Sequence, residues 1–312
     1  MSTNEADTGL LLKGLDGSNP LGFLATVGVA IAAEESFPGL RIGWKRTGSG
    51  WRPSLQECGV DDRAFSELIL QTLRGAPTTV FDIDNKMPFD AGRFSDALRA
   101  EREHSSMVDR RNVDLLASMG TELYPDKKGG QFQDSKFRMV RSGDSAGQGL
   151  PFYAKANLAK LDFEHVHLTL FGVWDYRDDG YSLRWDPIGD QRYALRWRDP
   201  SKSKFRDGPG MMLAADCLAI EALRWFPTLP VGRQAETTGF QRISRREFYF
   251  VWPIWTPMLS TDSVRSLLML PDLTNEPIDH RSLSKRGVQE VYRSQRIQQN
   301  QYYSNFLPAQ PI

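Results

Sequence analysis

Arginines crowd one stretch of the chain in a pattern suited to binding a polyanion. Between residues 192 and 198, arginines and Ala194 alternate strictly with Tyr193, Leu195 and Trp197. A period of two predicts a β-strand with unlike faces. A row of guanidinium groups repels itself unless an anion lies opposite, and a phosphate backbone supplies such an anion. The predicted nucleic-acid contacts of this stretch are Arg184, Arg192, Arg196 and Arg198.

A second interpretation of the arginine row stays open. Asp186, Asp190 and Asp199 lie within the same stretch and could neutralise the guanidinium groups internally. Structural ion networks of this kind are common in proteins, and exposed ion pairs contribute little free energy. The pattern therefore leaves either external phosphates or internal carboxylates as partners.

Residues 121–150 lose all hydrophobic periodicity and are rich in glycine. A segment of this length without periodicity is typically a functional or disordered loop. We predict a flexible basic loop that becomes ordered against DNA. Its predicted contact residues are Lys127, Lys128, Lys136, Arg138 and Arg141.

A polar hairpin is predicted near the C-terminus, from residues 287–297 and 301–306. Gln, Asn and Arg side chains hydrogen-bond base edges, and Tyr stacks on unpaired bases. The alternative is a solvated hairpin tip with no partner. The predicted contact residues here are Arg293, Gln295, Arg296 and Asn300.

Signals for catalysis and for metal binding are weak. His165 and His167 fall in a helical pattern that splays them apart, and no third ligand is evident. Asp82, Asp84 and Asp90 could hold a divalent ion as in a nuclease, although turns also favour aspartate. No phosphate-binding glycine loop of the form Gly-x-x-x-x-Gly-Lys-Ser/Thr occurs in the sequence. We predict no catalytic residue, metal or cofactor, with a metal-dependent nuclease as the alternative.

Charge and cysteine content limit the possible classes of protein. The 312 residues carry 39 basic and 39 acidic side chains, whereas a free-standing nucleic-acid binder is usually basic overall. The charge is segregated, with a net charge of −4 over residues 1–39 and +4 over residues 184–206. Two distant cysteines indicate no disulfide framework, and the apolar run 21–33 is too short to span a bilayer. We expect a cytoplasmic protein with no membrane partner.

Local patterns predict an α+β fold in which antiparallel hairpins pack with buried helices. Strands and helices do not alternate as βαβ units, so no doubly wound sheet is expected. The predicted organisation is an N-terminal α+β region over 1–120, the basic loop over 121–150, and a C-terminal α+β region over 151–312. The predicted helices cover 20–35, 61–74, 94–103, 109–118, 151–160, 163–174, 208–226 and 261–270, and the other predicted strands cover 10–15, 40–46, 51–55, 237–243 and 247–255.

Short segments at both ends and in the centre of the chain resemble the large-subunit-like proteins of type I CRISPR effector complexes, subtype G, formerly called subtype U. The segments that carry the resemblance are Leu15–Ala25, Ile42–Trp44, Leu183–Pro187, Asp190–Leu195, Thr237–Phe240, Val291–Ser294 and Asn305–Pro308.

This resemblance implies a non-catalytic subunit of a crRNA-guided complex. Its partners would be the crRNA, the target DNA and other effector subunits, and it would help to recognise the adjacent motif in duplex DNA. In such systems base pairing selects the sequence while protein recognises a short motif and the shape of the duplex. The chain is short for a large subunit, so the resemblance also allows an accessory role. A pure protein-interaction subunit, whose arginines contact an acidic protein surface, is a further alternative.

Overall fold

Helices and small antiparallel sheets make the fold α+β, as the sequence predicts. The computed structural model describes residues 9–84, 87–106, 109–123, 132–140, 149–189, 210–232, 234–298 and 303–312. Its helices are α1 (Pro20–Glu34), α2 (Asp62–Gly75), α3 (Ala91–His104), α4 (Arg111–Met119), α5 (Leu150–Lys160), α6 (Phe163–Phe171), α7 (Leu213–Ala222), α8 (Thr261–Leu268) and α9 (His280–Ser284).

The strands form two larger sheets and two ribbons. They are β1 (Leu10–Leu11), β2 (Arg41–Thr47), β3 (Gly50–Gln56), β4 (Gly120–Thr121), β5 (Gln133–Asp134), β6 (Thr228–Val231), β7 (Gln234–Thr237), β8 (Phe240–Arg242), β9 (Phe248–Trp255), β10 (Leu259–Ser260), β11 (Val288–Gln298), β12 (Ser304–Phe306) and β13 (Gln310–Pro311). One sheet has the order β1-β3-β2-β10. The other has the order β12-β11-β9-β8, with β13 paired to β11. The pairs β4-β5 and β6-β7 form the ribbons, and every pairing is antiparallel.

Helix α1 is the centre of the fold, and its sequence explains why. The Asn19 side chain caps it by accepting from the Leu21 amide at 2.8 Å, and Pro20 occupies the first turn. Thirteen of the following residues are buried on all sides of the helix, as expected for an apolar helix without a polar face. Gly28 allows α7 to approach closely, because a Cβ there would lie 1.9 Å from the Leu218 carbonyl oxygen.

One hydrophobic core joins the two α+β regions that the sequence suggests. The Phe23 ring of α1 lies 6.1 Å from the Trp44 ring of β2 and 5.7 Å from the Trp252 ring of β9. The Trp255 indole of β9 donates to the Ile42 carbonyl of β2 at 2.8 Å. Residues 9–84 and 234–298 therefore share their packing.

The predicted loop over residues 121–150 contains a buried segment, which corrects part of that expectation. Residues 132–140 are described, and Phe137 is fully buried among the rings of Trp185, Phe240 and Phe250. Burying such a ring contributes roughly 1.5–3 kcal/mol, so this segment is held in the core. Residues 124–131 and 141–148 lie outside the described residues.

The chain around Asp82 forms a short 3-10 turn, Thr79–Asp82. Cys58 and Cys217 are separate buried thiols. Within the described ranges, no helix combines the length and the apolar character needed to cross a membrane.

Candidate nucleic-acid interface

Lys136 is held in place by the segment around it. Phe132 packs 4.6 Å from the Phe94 ring at one end, and Phe137 enters the core immediately after the lysine. The Lys136 amide donates to the Thr237 hydroxyl of β7 at 3.0 Å. The backbone of Lys136 is therefore fixed while its side chain remains on the surface side of the segment.

Arg296 of β11 attaches this segment to the second sheet. Its Nε donates to the Lys136 carbonyl and its Nη2 to the Arg138 carbonyl, both at 2.9 Å. A planar guanidinium with several fixed donors is well suited to bridging two carbonyls in this way. Part of the Arg296 guanidinium thus positions Lys136 rather than contacting a ligand.

Cations and an aromatic ring form a row across three strands next to Lys136. Arg242 of β8 and Arg296 of β11 both pair in register with Phe248 of β9, so the three share one sheet face. The Lys136 Nζ lies 4.7 Å from the centre of the Phe248 ring, and the Arg242 Cζ lies 5.7 Å from it. These separations fit cation–π contacts, which hold both cations against the sheet.

This row borders a pocket of about 650 Å³ that we call the basic cleft. Ligand sites for small molecules and cofactors have volumes of this order. Five basic side chains and one carboxylate, Asp134, are among the lining residues. The basic lining residues are Lys136, Arg138, Arg245, Arg246 and Arg296.

Part of the positive charge at the basic cleft is neutralised internally. The Arg138 side chain, in a residue only 5% exposed, donates to the Asp134 carboxylate and to the Met87 carbonyl. Arg242 lies 3.7 Å from Glu236. In contrast, Arg245 and Arg246 are exposed in the turn between β8 and β9, and no described carboxylate lies within 4 Å of them. The cleft therefore keeps an excess of cations.

Burial lowers the pKa of the Lys136 ammonium, and the neighbouring Arg296 and Arg242 guanidinium groups lower it further, while Glu236 and Asp134 counter the effect. A cation whose neighbours disfavour its charge gains from an anion placed opposite. The basic cleft is thus suited to an anion such as phosphate.

Sequence reasoning missed Arg242, Arg245, Arg246 and Phe248. The three arginines fall within five residues, at the end of the predicted strand 237–243 and in the turn that follows it, and that run was the available signal. Lys136, Arg138 and Arg296, which the sequence places in two separate segments, are brought together here.

Two other predicted contacts of the C-terminal hairpin, Arg293 and Gln295, face away from the basic cleft. Successive residues of a strand point to opposite faces, so Arg293 and Gln295 lie on the side of β11 opposite Arg296. The Arg293 guanidinium covers the Tyr249 ring at 4.9 Å and lies 4.0 Å from Glu276. The structure thus places on opposite faces of β11 residues that the sequence predicts as one surface for contacting bases.

Arg184 lies outside the arginine row and has its own surroundings. Its Cζ is 4.1 Å from the centre of the Tyr303 ring. The arginine row itself, residues 192–198, falls outside the described part of the chain. The predicted contacts outside the described residues are Lys127, Lys128, Arg141, Arg192, Arg196, Arg198 and Asn300.

Asp186, one of the carboxylates proposed to neutralise the row, is buried and accepts hydrogen bonds from three described residues. It accepts from Asn19 Nδ2 at 3.2 Å, from the Tyr176 hydroxyl at 3.0 Å and from the Ile188 amide at 2.9 Å. Asn19 and Asp186 belong to two of the segments that carry the family resemblance. These segments contact each other in the fold.

The candidate metal ligands have structural partners. His165 lies on α6, where it completes the helix cap with Asp162, and His167 pairs with Ser66 at 3.0 Å. The acidic candidates are also engaged: Asp82 pairs with Lys155 at 2.5 Å, Asp84 lies 3.3 Å from Arg93, and Asp90 caps α3. Across the described ranges, no group of three or more His, Cys, Asp or Glu side chains is placed to hold a metal ion.

Comparison with protein-family models gives no match for this chain, and comparison with the curated proteins gives none either.

Proposed function

We propose that the protein binds nucleic acid through the basic cleft, as a non-catalytic subunit of a crRNA-guided type I CRISPR effector complex. The observation that carries the binding proposal is the excess of cations in the basic cleft. Arg296 and Thr237 fix the backbone of Lys136, one of these cations. Cations held in advance around a concave surface bind phosphate without first having to be ordered. The family resemblance supports the placement in a guided complex.

The neutral overall charge agrees with a subunit of an assembly. The chain has 39 basic and 39 acidic side chains, so nonspecific attraction to nucleic acid is limited. The basic cleft concentrates positive charge on one part of the surface. The crRNA and target DNA would bind at the cleft. The rest of the surface would contact other effector subunits.

A non-catalytic role is consistent with the engagement of the acidic candidates. Asp82 and Asp84 have cationic partners at 2.5 and 3.3 Å, and Asp90 is used as a helix cap. A metal-dependent nuclease needs carboxylates that converge on the ion. The cutting step would therefore belong to another component of the complex.

Co-purification tests the proposed assembly. Tagged protein expressed in its native host should bring down a small RNA of uniform length together with other subunits. Nuclease treatment should release part of the assembly, whereas a pure protein-interaction subunit would be insensitive to it. Recovery of the protein without any nucleic acid would contradict the proposal.

A cleavage assay tests the non-catalytic part. We expect purified protein incubated with DNA or RNA and Mg²⁺ or Mn²⁺ to leave both polymers intact. Cleavage that disappears in Asp84→Ala would instead establish the nuclease alternative. Cleavage unaffected by that substitution would point to a contaminant or to other residues.

A further inference from the structure

Four aromatic side chains cluster at the surface beside Arg184. This aromatic patch consists of Phe152 and Tyr153 of α5, Tyr181, and Tyr303 next to β12. The Tyr153 and Tyr181 rings stack with centres 4.7 Å apart, and the Phe152 ring meets Tyr181 edge-on at 5.4 Å. Tyr181 is 38% exposed, and the other three are partly exposed. The Lys160 Nζ lies 5.8 Å from the centre of the Tyr181 ring, and the exposed parts of the four rings form one aromatic surface.

Cations surround the aromatic patch. The Arg184 guanidinium covers the Tyr303 ring at 4.1 Å. Arg184 also has a φ of +62°, a left-handed conformation that disfavours residues with a Cβ by roughly 1–2 kcal/mol. Strain of this kind clusters at binding sites. Lys155 and Lys160 of α5 add exposed ammonium groups whose ion pairs, with Asp82 and Asp179, are themselves exposed and therefore weak.

The aromatic patch adjoins the basic cleft through a shared segment. Tyr303 forms a β-bridge with Val140, and the Ser304 amide donates to the Met139 carbonyl at 2.8 Å. Val140 is two residues from Arg138 of the cleft, a Cα separation of at most about 7 Å. Ser304 also pairs in register with Gln298, which lines the cleft. One extended ligand can therefore reach both surfaces.

We propose that the aromatic patch stacks the unpaired bases of a strand whose phosphates occupy the basic cleft. This inference rests on the proposed function and narrows its substrate class to single-stranded nucleic acid. Every base has a π-face that stacks on tyrosine or phenylalanine, and arginine adds a cation–π contribution. In a duplex the bases stack on one another and present only their edges, so the rings would have nothing to stack on.

Binding measurements with four labelled probes of equal length test this inference. The probes are single-stranded DNA, single-stranded RNA of the same sequence, an abasic DNA strand, and duplex DNA. Tyr181→Ala should weaken binding of one or both base-bearing single strands at least about fivefold, since stacking contributes about 1 kcal/mol or more per base. Tyr181→Phe, which keeps the ring, should bind like the parent protein. The DNA and RNA arms identify which strand is preferred.

The abasic and duplex probes separate stacking from charge. Tyr181→Ala should leave the affinity for both unchanged, because neither offers an unpaired base. An equal loss on the abasic strand, or no loss on any single strand, would overturn the inference while leaving the basic cleft intact. Failure of the parent protein to bind any of the four probes would overturn the proposed function and this inference with it.

Discussion

Replacing Arg245 and Arg246 together by glutamine should weaken nucleic-acid binding at least about tenfold at low salt. Both guanidinium groups are exposed at the basic cleft, and no described carboxylate lies within 4 Å of either. Each charge-assisted hydrogen bond to phosphate contributes about 1.5 kcal/mol, so the loss of two exceeds tenfold in affinity. Because the side chains are exposed, the variant should fold normally. Fluorescence anisotropy with a labelled oligonucleotide measures the effect.

A matched control removes the same charge elsewhere. Arg281 and Lys285 are also exposed, and α9 packs near the start of β11. The start of β11 at Val288 is roughly 25 Å along the strand from Arg296. Arg281→Gln with Lys285→Gln should therefore bind like the parent protein. The cleft variant should also reduce the slope of log affinity against log salt by about 2. Equal effects of the two double substitutions would reject the basic cleft as the contact surface.

Asp216→Asn should stabilise the protein strongly in alkaline solution and hardly at all in acid. Asp216 lies on α7, is 2% exposed, and accepts from the Leu183 amide at 3.2 Å. Burial raises the pKa of this carboxyl to about 8; the nearby Asp186 also raises it, while the Leu183 hydrogen bond lowers it. The folded protein therefore holds a proton that the unfolded chain, with a pKa of about 3.9, has released.

The sign of the pH dependence follows from this difference in bound protons. Between about pH 4 and pH 8 the unfolded chain binds fewer protons at Asp216, so the free energy of unfolding falls as pH rises, by up to about 1.4 kcal/mol per pH unit. Asparagine resembles the protonated carboxyl and does not titrate. Thermal melts should thus show similar stability near pH 4 and a clearly higher melting temperature for the variant near pH 8.

Asp179→Asn provides the comparison, because the Asp179 side chain is fully exposed. It should leave the dependence of melting temperature on pH as in the parent protein. If Asp216→Asn followed the same pH curve as the parent protein, Asp216 would be charged in the folded state at neutral pH.

Local sequence signals were sufficient to predict helix α1 and the β2-β3 hairpin. The Asn19 cap with Pro20 marks the start of α1, and the glycine turn between β2 and β3 marks their hairpin. Each signal depends only on neighbours in sequence, so it holds regardless of how the chain packs. The β6-β7 ribbon was missed, although Gly232 lies at its turn.

The candidate site was harder to predict, because tertiary contacts assemble it. Segment 132–140 lacks periodicity, yet Phe137 makes it part of the core. The strand alternation of β11 was recognisable, but the sequence grouped Arg293 with Arg296 when they lie on opposite faces. Arg245 and Arg246 gave only a short basic run, which has little specificity until a pocket forms around it.

Lysine footprinting tests the central claim most directly. Lys136 lines the basic cleft and is partly exposed, so acetylation of its amine should be measurable by mass spectrometry. Saturating oligonucleotide should protect Lys136 while leaving the labelling of the exposed Lys285, near the other end of β11, unchanged. Unchanged labelling of Lys136 at saturation would contradict binding of nucleic acid in the basic cleft.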